Sequence, residues 1–370
     1  MEPRKYQYVD SLRGIAILLV VLLHTGQAGS ACAYFPTELI TFVDNGQFGV
    51  QLFFIVSSYT LMLSYYSRKD EAFATRNFFV RRFFRIAPLY YLAICYYAFQ
   101  NFIGFSFFST GHVQNAVSVK ELVANLFFLN GFRPTWINHL VPGGWSIAIE
   151  FTFYLILPLL CQKINNINKA VTLVCITLLI SSLLNLNHVL GATILNSNNF
   201  LYWYFPHQLP IFALGILAFF ISCGDQQVSS KSWLFIAFTI FAYCYLAVPY
   251  YFVYCLVFVI LLLVLTRHEI KWIANSVTAY IGKVSFSIYL VHFAVLYWLE
   301  RFSALDVIRT TGLASSLANF AFRYTVVLAG TIAVSHFTYH YIEVVFQKLG
   351  KRFIKTSEAT SLQASSIMHP

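Results

Sequence analysis

Long apolar runs separated by short polar connections dominate the chain. A helix needs about 20 apolar residues to cross a hydrocarbon core of about 30 Å. Ten stretches come close to that length: 12–29, 48–66, 83–103, 145–162, 169–187, 203–222, 232–248, 250–266, 279–299 and 315–342. The pattern predicts an all-α fold, a polytopic integral membrane helix bundle with about ten transmembrane helices.

A few polar residues interrupt these runs. In YVDSLRGIAILLVVLLHTG, Arg13 and His24 are eleven residues apart. At about 100° and 1.5 Å per residue they return to nearly the same helix face, about 16 Å apart along the axis. An ionisable group at mid-bilayer costs on the order of 2.5 to 3.5 kcal/mol on insertion scales, so such groups face a cavity and do work. This helix is therefore expected to form the floor and centre of an active site. Glu150, in GGWSIAIEFTFYLILPLL, lies about 9 Å below Gly144 and shares a face with Ser146, Phe153 and Tyr154. His292, in IGKVSFSIYLVHFAVLYW, lies about 15 Å from Gly282 and shares a face with Ser285 and Tyr289. The depths bring His24, His292 and Glu150 together in one polar cavity.

Arg82 and Arg85, three apart in RRFFRIAPLYY, share a helix face where the third span begins. With Arg13 they are expected to ring the cytoplasmic mouth of that cavity. Guanidinium forks match phosphate oxygens, so Arg81, Arg82 and Arg85 suit an anionic cytoplasmic ligand.

Composition agrees with the pattern: 59% of the 370 residues are hydrophobic and 10% charged, where a soluble domain carries about 25% charged residues. In a soluble chain a net charge of +10 would point to nucleic acid. Here it follows topology. With the N-terminus in the cytoplasm, all the lysines and arginines except Lys120, Arg133, Arg301, Arg309 and Arg323 fall on the inner side, as the positive-inside rule requires. Both termini are thus expected in the cytoplasm, and no nucleic-acid partner is expected.

The seven cysteines form no CxxC pair, so neither a disulfide framework nor a zinc site is indicated. His336 and His340 have i, i+4 spacing but no third ligand, and no metal is expected. The first run with Ala28-Gly29-Ser30-Ala31 resembles a cleavable leader. His24 inside it, and the even span count, argue that it stays as the first span. No Walker loop or GxSxG elbow supports nucleotide-driven transport or hydrolysis.

Other features have plainer readings. The pair Ser57-Ser58 is expected to serve helix packing. Pro88 should kink the third span, Pro206 and Pro210 should break the start of the sixth helix, and Gly215 should allow close packing. His207 is read as structural. The stretch from Gly104 to Gly144 is a candidate lid or recognition surface, with VKELVANLFFLN lying along the interface. Residues 1–347 are expected to form one transmembrane domain, and 348–370 a basic cytoplasmic tail without fixed structure.

Six blocks in order, LRGIAILLVVLLH, RRFFRIAPLYY, GWSIAIEFTFYLILP, LPIFALGIL, GKVSFSIYLVH and YIEVVF, resemble the membrane-bound acyltransferase-3 family, the O-acyltransferases of bacterial surface polysaccharides. The resemblance covers most of the chain. It implies a multi-pass protein of the bacterial inner membrane that moves an acetyl group from cytoplasmic acetyl-CoA to a sugar hydroxyl. The acceptor would be a surface glycan such as lipopolysaccharide O-antigen or exopolysaccharide, or its lipid-linked form. It also implies roles: His24 as general base, a contribution of typically about 10²- to 10⁴-fold; Glu150 orienting a histidine as the carboxylate of a triad does; His292 sharing the work; and Arg13, Arg82 and Arg85 binding coenzyme A phosphates.

The sequence departs from the family pattern at Ser57 to Tyr59, where Ser-Gly-aromatic is common, and after Glu343, where a proline is usual. No C-terminal hydrolase-like domain follows, so any second catalytic step is expected in a separate protein. Alternative acceptors are a macrolide, a lipo-oligosaccharide or a succinyl-transfer target. A glycan or solute transporter using the same charges for proton coupling is the rival from another class, and no inverted repeat supports it.

Overall fold

A computed structural model describes residues 6–30, 32–102, 117–189, 200–224, 227–245 and 251–354. Among these residues the chain is helical and contains no strand. The helices are α1 (Gln7–Gln27), α2 (Thr37–Tyr66), α3 (Ala74–Phe102), α4 (Val119–Leu126), α5 (Gly144–Lys163), α6 (Ile167–Val189), α7 (Phe200–Trp203), α8 (Phe205–Ser222), α9 (Ser230–Tyr245), α10 (Tyr251–Arg267), α11 (Ser276–Lys283), α12 (Ser285–Arg301) and α13 (Leu313–Lys351).

Each expected span coincides with a helix, but the helices do not all have the length and composition of a simple crossing. Six pass that test, α1, α2, α5, α6, α8 and α13, and the pair α11 and α12, bent by 74°, makes a seventh if taken as one span. α10 is apolar but shorter. α3 is long enough at 29 residues, and its first half carries four arginines.

Two boundaries differ from expectation. α2 starts at Thr37, ten residues before the expected end of the outer loop, because extended Pro36 leads directly into its first turn. α13 runs to Lys351, past the expected domain boundary, through a widened i→i+5 turn at Tyr339–Glu343. Lys348 and Lys351 therefore lie on a helix, and residues 355–370 of the expected tail lie outside the described residues. The outer stretch from Gly104 likewise enters the described residues only at Val117. Pro88 sits inside a helix that continues around it. Pro206 occupies the first turn of α8, where a missing N–H leaves nothing unpaired, and Pro210 lies within that helix.

α1 is the central helix. Apolar residues on both of its sides, Leu12, Ala16, Ile17 and Val21, have no exposed surface. In hydrocarbon, helices associate through close van der Waals contact, and small residues permit it. A β-carbon on Gly282 of α11 would fall 1.7 Å from the Asp10 carbonyl oxygen, and one on Gly14 would fall 2.1 Å from that of Thr278. Backbone therefore lies on backbone where α1 meets α11. At the other end of α1, the buried guanidinium of Arg323 on α13 donates to the carbonyls of Thr25, Ala28 and Leu305 and pairs with Asp306. These two fixings hold the helix that carries Arg13 and His24.

Candidate active site

One part of the site is built from α1, α2, α3, α5 and α12. Arg13 donates to the Thr60 hydroxyl oxygen at 2.9 Å, and Asp10 stands 3.7 Å from the same guanidinium. Thr60 gives its own hydrogen to the Val56 carbonyl at 2.8 Å, which leaves its oxygen free to accept. Arg82 lies over the rings of Phe78 and Tyr154, 5.7 and 5.8 Å from their centroids, and its buried Nε has no hydrogen-bond partner. Arg13, Arg82 and Arg85 line one cavity of about 70 Å³ together with Ser57, Glu150 and Tyr154.

Arg81 is not part of this group. About 100° round the helix from Arg82, it makes a two-pronged ion pair with Glu71 at 2.7 and 3.2 Å. That contact holds the Glu71 carboxyl below its ordinary range. The anionic-ligand reading therefore keeps Arg82 and Arg85 and loses Arg81.

Glu150 is held by hydroxyls. Its Oε1 accepts from Ser57 at 2.5 Å and from Tyr154 at 2.7 Å. The expected pairing of Glu150 with a histidine is not found among the described residues, because the carboxylate lines the arginine cavity and is held there by Ser57 and Tyr154. Ser57 thus belongs to the site, while its neighbour Ser58 serves packing: a β-carbon on Gly215 would fall 1.9 Å from its Oγ.

The two imidazoles do meet. The rings of His24 and His292 are 5.4 Å apart, and Phe293 packs against both, at 4.5 and 4.0 Å. His292 Nδ1 lies 3.1 Å from the Ile288 carbonyl oxygen, which can only accept, so Nδ1 carries a hydrogen. Its Nε2 is buried and has no partner. His24 also lines a second cavity of about 530 Å³, walled by Trp145, Tyr202 and Trp203 and by the polar side chains of Gln27, Asn138 and His139.

One expected chamber is therefore two. Val50 and Tyr289 line both cavities and stand between the arginines with Glu150 on one side and His24 on the other. The Tyr289 hydroxyl donates to the Gly143 carbonyl at 2.9 Å and accepts from Ser146 at 2.7 Å.

Sequence reading also missed a carboxylate–imidazole pair. His139 Nδ1 lies 2.7 Å from Oε1 of buried Glu121, and that hydrogen bond raises the imidazole pKa above its usual value. Glu121 sits on α4, which turns its polar residues Glu121 and Asn125 inward and its apolar Val119, Val123 and Leu126 outward. The inverted pattern was the available signal. A second buried carboxylate, Glu343 in the widened turn of α13, accepts from Ser287. His207, between Tyr251 at 2.7 Å and Asn185 at 3.1 Å, joins helices away from both cavities.

A helical membrane bundle with arginines lining one buried cavity and imidazoles beside an adjoining one suits a membrane-embedded enzyme of group-transfer type. The chain belongs to the acyltransferase-3 family: the family model for the acyltransferase domain matches residues 6–340. It is an acyltransferase. Among curated proteins, it is 26% identical over 329 residues to the acyltransferase MdmB of Streptomyces mycarofaciens, covering 81% of this chain and 82% of that one. It is 22% identical over 381 residues to the O-acetyltransferase OatA of Staphylococcus aureus, covering 94% of this chain and 58% of that one. It is 27% identical over 166 residues to the peptidoglycan O-acetyltransferase OatA of Listeria monocytogenes, covering 42% of this chain and 24% of that one. The chain thus spans little more than half of the staphylococcal relative and about a quarter of the listerial one. No solved structure matches it.

Proposed function

We propose that this protein is an O-acetyltransferase of the bacterial inner membrane that takes an acetyl group from cytoplasmic acetyl-CoA and gives it to a hydroxyl of a surface glycan. The single observation that carries the reading is the arrangement of three arginines and two imidazoles on opposite sides of Tyr289. Arg13, Arg82 and Arg85 supply fixed positive charge for the donor's phosphates. α12 begins at the same cavity with Ser285, and the positive end of its helix dipole favours an anion there. On the other side, Trp145, Tyr202 and Trp203 offer flat apolar walls to a sugar ring. The Oδ1 of Asn138, buried and without a partner, offers an acceptor for a sugar hydroxyl.

In this reading His24 takes the proton of the attacking hydroxyl as the new ester bond forms, and the thioester bond breaks with the electron pair leaving on sulfur. His292, whose Nδ1 hydrogen is fixed by Ile288, keeps its ring beside His24 and shares the proton. Glu150, bound by Ser57 and Tyr154, stays with the arginines and tempers their mutual repulsion. A lipopolysaccharide O-antigen, an exopolysaccharide or peptidoglycan would each supply suitable hydroxyls, and the family resemblance and the listerial relative's name favour glycans of that kind.

The test is His24→Ala at unchanged membrane level in the host strain, with mass spectrometry of the surface glycan. Loss of the acetyl mass increment from the glycan is expected. Acetylation at the wild-type level would overturn the assignment of His24, and a glycan unchanged by deletion of the whole gene would overturn the acceptor class.

A further inference from the structure

Tyr289 occupies a position that the chemistry above does not use. Its residue lines the arginine cavity and the His24 cavity at once, and apart from Val50 nothing else does. Its hydroxyl is latched at both ends, to the Gly143 carbonyl at 2.9 Å and to Ser146 at 2.7 Å. Gly143 adopts φ +73°, a conformation few other residues hold, and a β-carbon there would lie 2.7 Å from the phenol oxygen. The chain thus turns at a glycine just where the phenol comes to rest. One turn further along α12, His292 lies 5.9 Å from the Tyr289 ring, centroid to centroid, and meets His24 on its other side.

The donor reading puts a thioester with the arginines, and the acceptor reading puts a hydroxyl beside His24. The acyl carbon must then cross the plane that Tyr289 closes. A valine has no polar tether and cannot swing far. A phenol on a single Cα–Cβ hinge, held by two hydrogen bonds, can. When it swings aside, the Ser146 hydroxyl it releases is free to donate to the carbonyl oxygen of the group passing through, which offsets one of the two hydrogen bonds given up in opening.

We propose that Tyr289 is the movable partition between the two cavities and sets the size of the acyl group that crosses; the second half of this statement rests on the donor and acceptor assignments given above. A short acyl group passes when the ring swings aside, and with the ring latched bulk water is kept from the thioester.

Two measurements test it on the full-length protein. In the first, a cysteine-free version carrying Gln47→Cys, a position lining the His24 cavity, is placed in membrane vesicles of both orientations. Each is treated with a small membrane-impermeant methanethiosulfonate. With Tyr289 present, modification is expected only from the face bearing Gln47. With Tyr289→Ala it is expected from the arginine face as well, and with Tyr289→Phe, which keeps the ring but loses both hydrogen bonds, at an intermediate rate. Unchanged modification from the Gln47 face shows that each variant is folded. Modification from the arginine face with Tyr289 intact, or none after Tyr289→Ala, overturns the partition.

The second measurement compares consumption of acetyl-CoA and hexanoyl-CoA by wild type and variants in detergent. The hexanoyl-to-acetyl ratio is expected to rise at least about tenfold in Tyr289→Ala, since a pocket discriminates a few methylenes by that much or more. An unchanged ratio overturns the size role. A wild type that consumes neither thioester refutes the donor assignment instead, and leaves the vesicle experiment to decide the partition by itself.

Discussion

At the level of single residues, the site depends on hydroxyls that hold carboxylates. Ser57 and Tyr154 both donate to one oxygen of Glu150. Removing one of two hydrogen-bond donors from a half-buried carboxylate costs about 0.5 to 1.5 kcal/mol. Ser57→Ala is expected to lower the unfolding midpoint of the detergent-solubilised protein accordingly, and Ser58→Ala, which touches no carboxylate, to change it less. His139 gives a prediction with a sign. Its pKa is raised in the folded protein by the Glu121 hydrogen bond. The pair's contribution to stability is therefore complete below the unfolded value of 6.5 and fades as pH rises through the raised folded value. In thermal melts, the gap between wild type and His139→Gln should be widest in mild acid and close towards alkaline pH; a gap that widens upward would refute the pairing. Arg82 and Arg85 were legible from the sequence because guanidinium groups are conspicuous beside apolar runs. Which carboxylate meets which imidazole was not, because the answer depends on the rotation of α5 and on the path of the outer segment. Neither is encoded in the spacing of one helix. Ser57 was misassigned for a related reason: a serine that packs and a serine that binds look alike until the opposing helix is seen.

Among the elements, α1 and α11 show how narrow the tolerances are. Gly282→Ala would thrust a methyl group into the Asp10 carbonyl. Overpacking of this kind costs typically about 1 to 3 kcal/mol, and a backbone atom cannot rotate out of the way. Gly312, with extended backbone and nothing within 4 Å of an added β-carbon, is the control, and Gly312→Ala should stay within about 0.5 kcal/mol of wild type. Thermal unfolding of the two variants decides the point. Helix positions were readable because apolar runs of spanning length have few alternatives. The 74° bend between α11 and α12 was passed over, although Gly282, Lys283 and Ser285 interrupt the apolar run around Val284 at the break. Glu343 was visible as a residue, but its i→i+5 turn was not, since the turn reflects the partner Ser287 offers from α12.

On the scale of the whole molecule, charge is sorted by cavity. The arginine cavity holds three cations against Glu150, and the His24 cavity holds imidazoles and neutral amides. Donor binding should therefore weaken as salt rises, because screening shortens to about 8 Å at physiological ionic strength and to about 3 Å at 1 M. Arg85→Ala should lose affinity for acetyl-CoA by roughly ten- to a hundredfold, the worth of a charged hydrogen bond of about 1.5 to 3 kcal/mol. Arg81→Ala, whose side chain is engaged by Glu71, should leave that affinity unchanged. Equal losses for both variants, by titration calorimetry, would mean that the arginines act as a diffuse field rather than as a site.

α4 wears its apolar side outward and keeps Glu121 beneath it, bonded to the imidazole of His139 that lines the His24 cavity. Water has no reason to cover such a surface, so the roof over His139 is finished by whatever grease surrounds the protein. Extraction into a thin-shelled micelle should then loosen the mouth of that cavity without altering one amino acid, and a reconstituted bilayer should tighten it again.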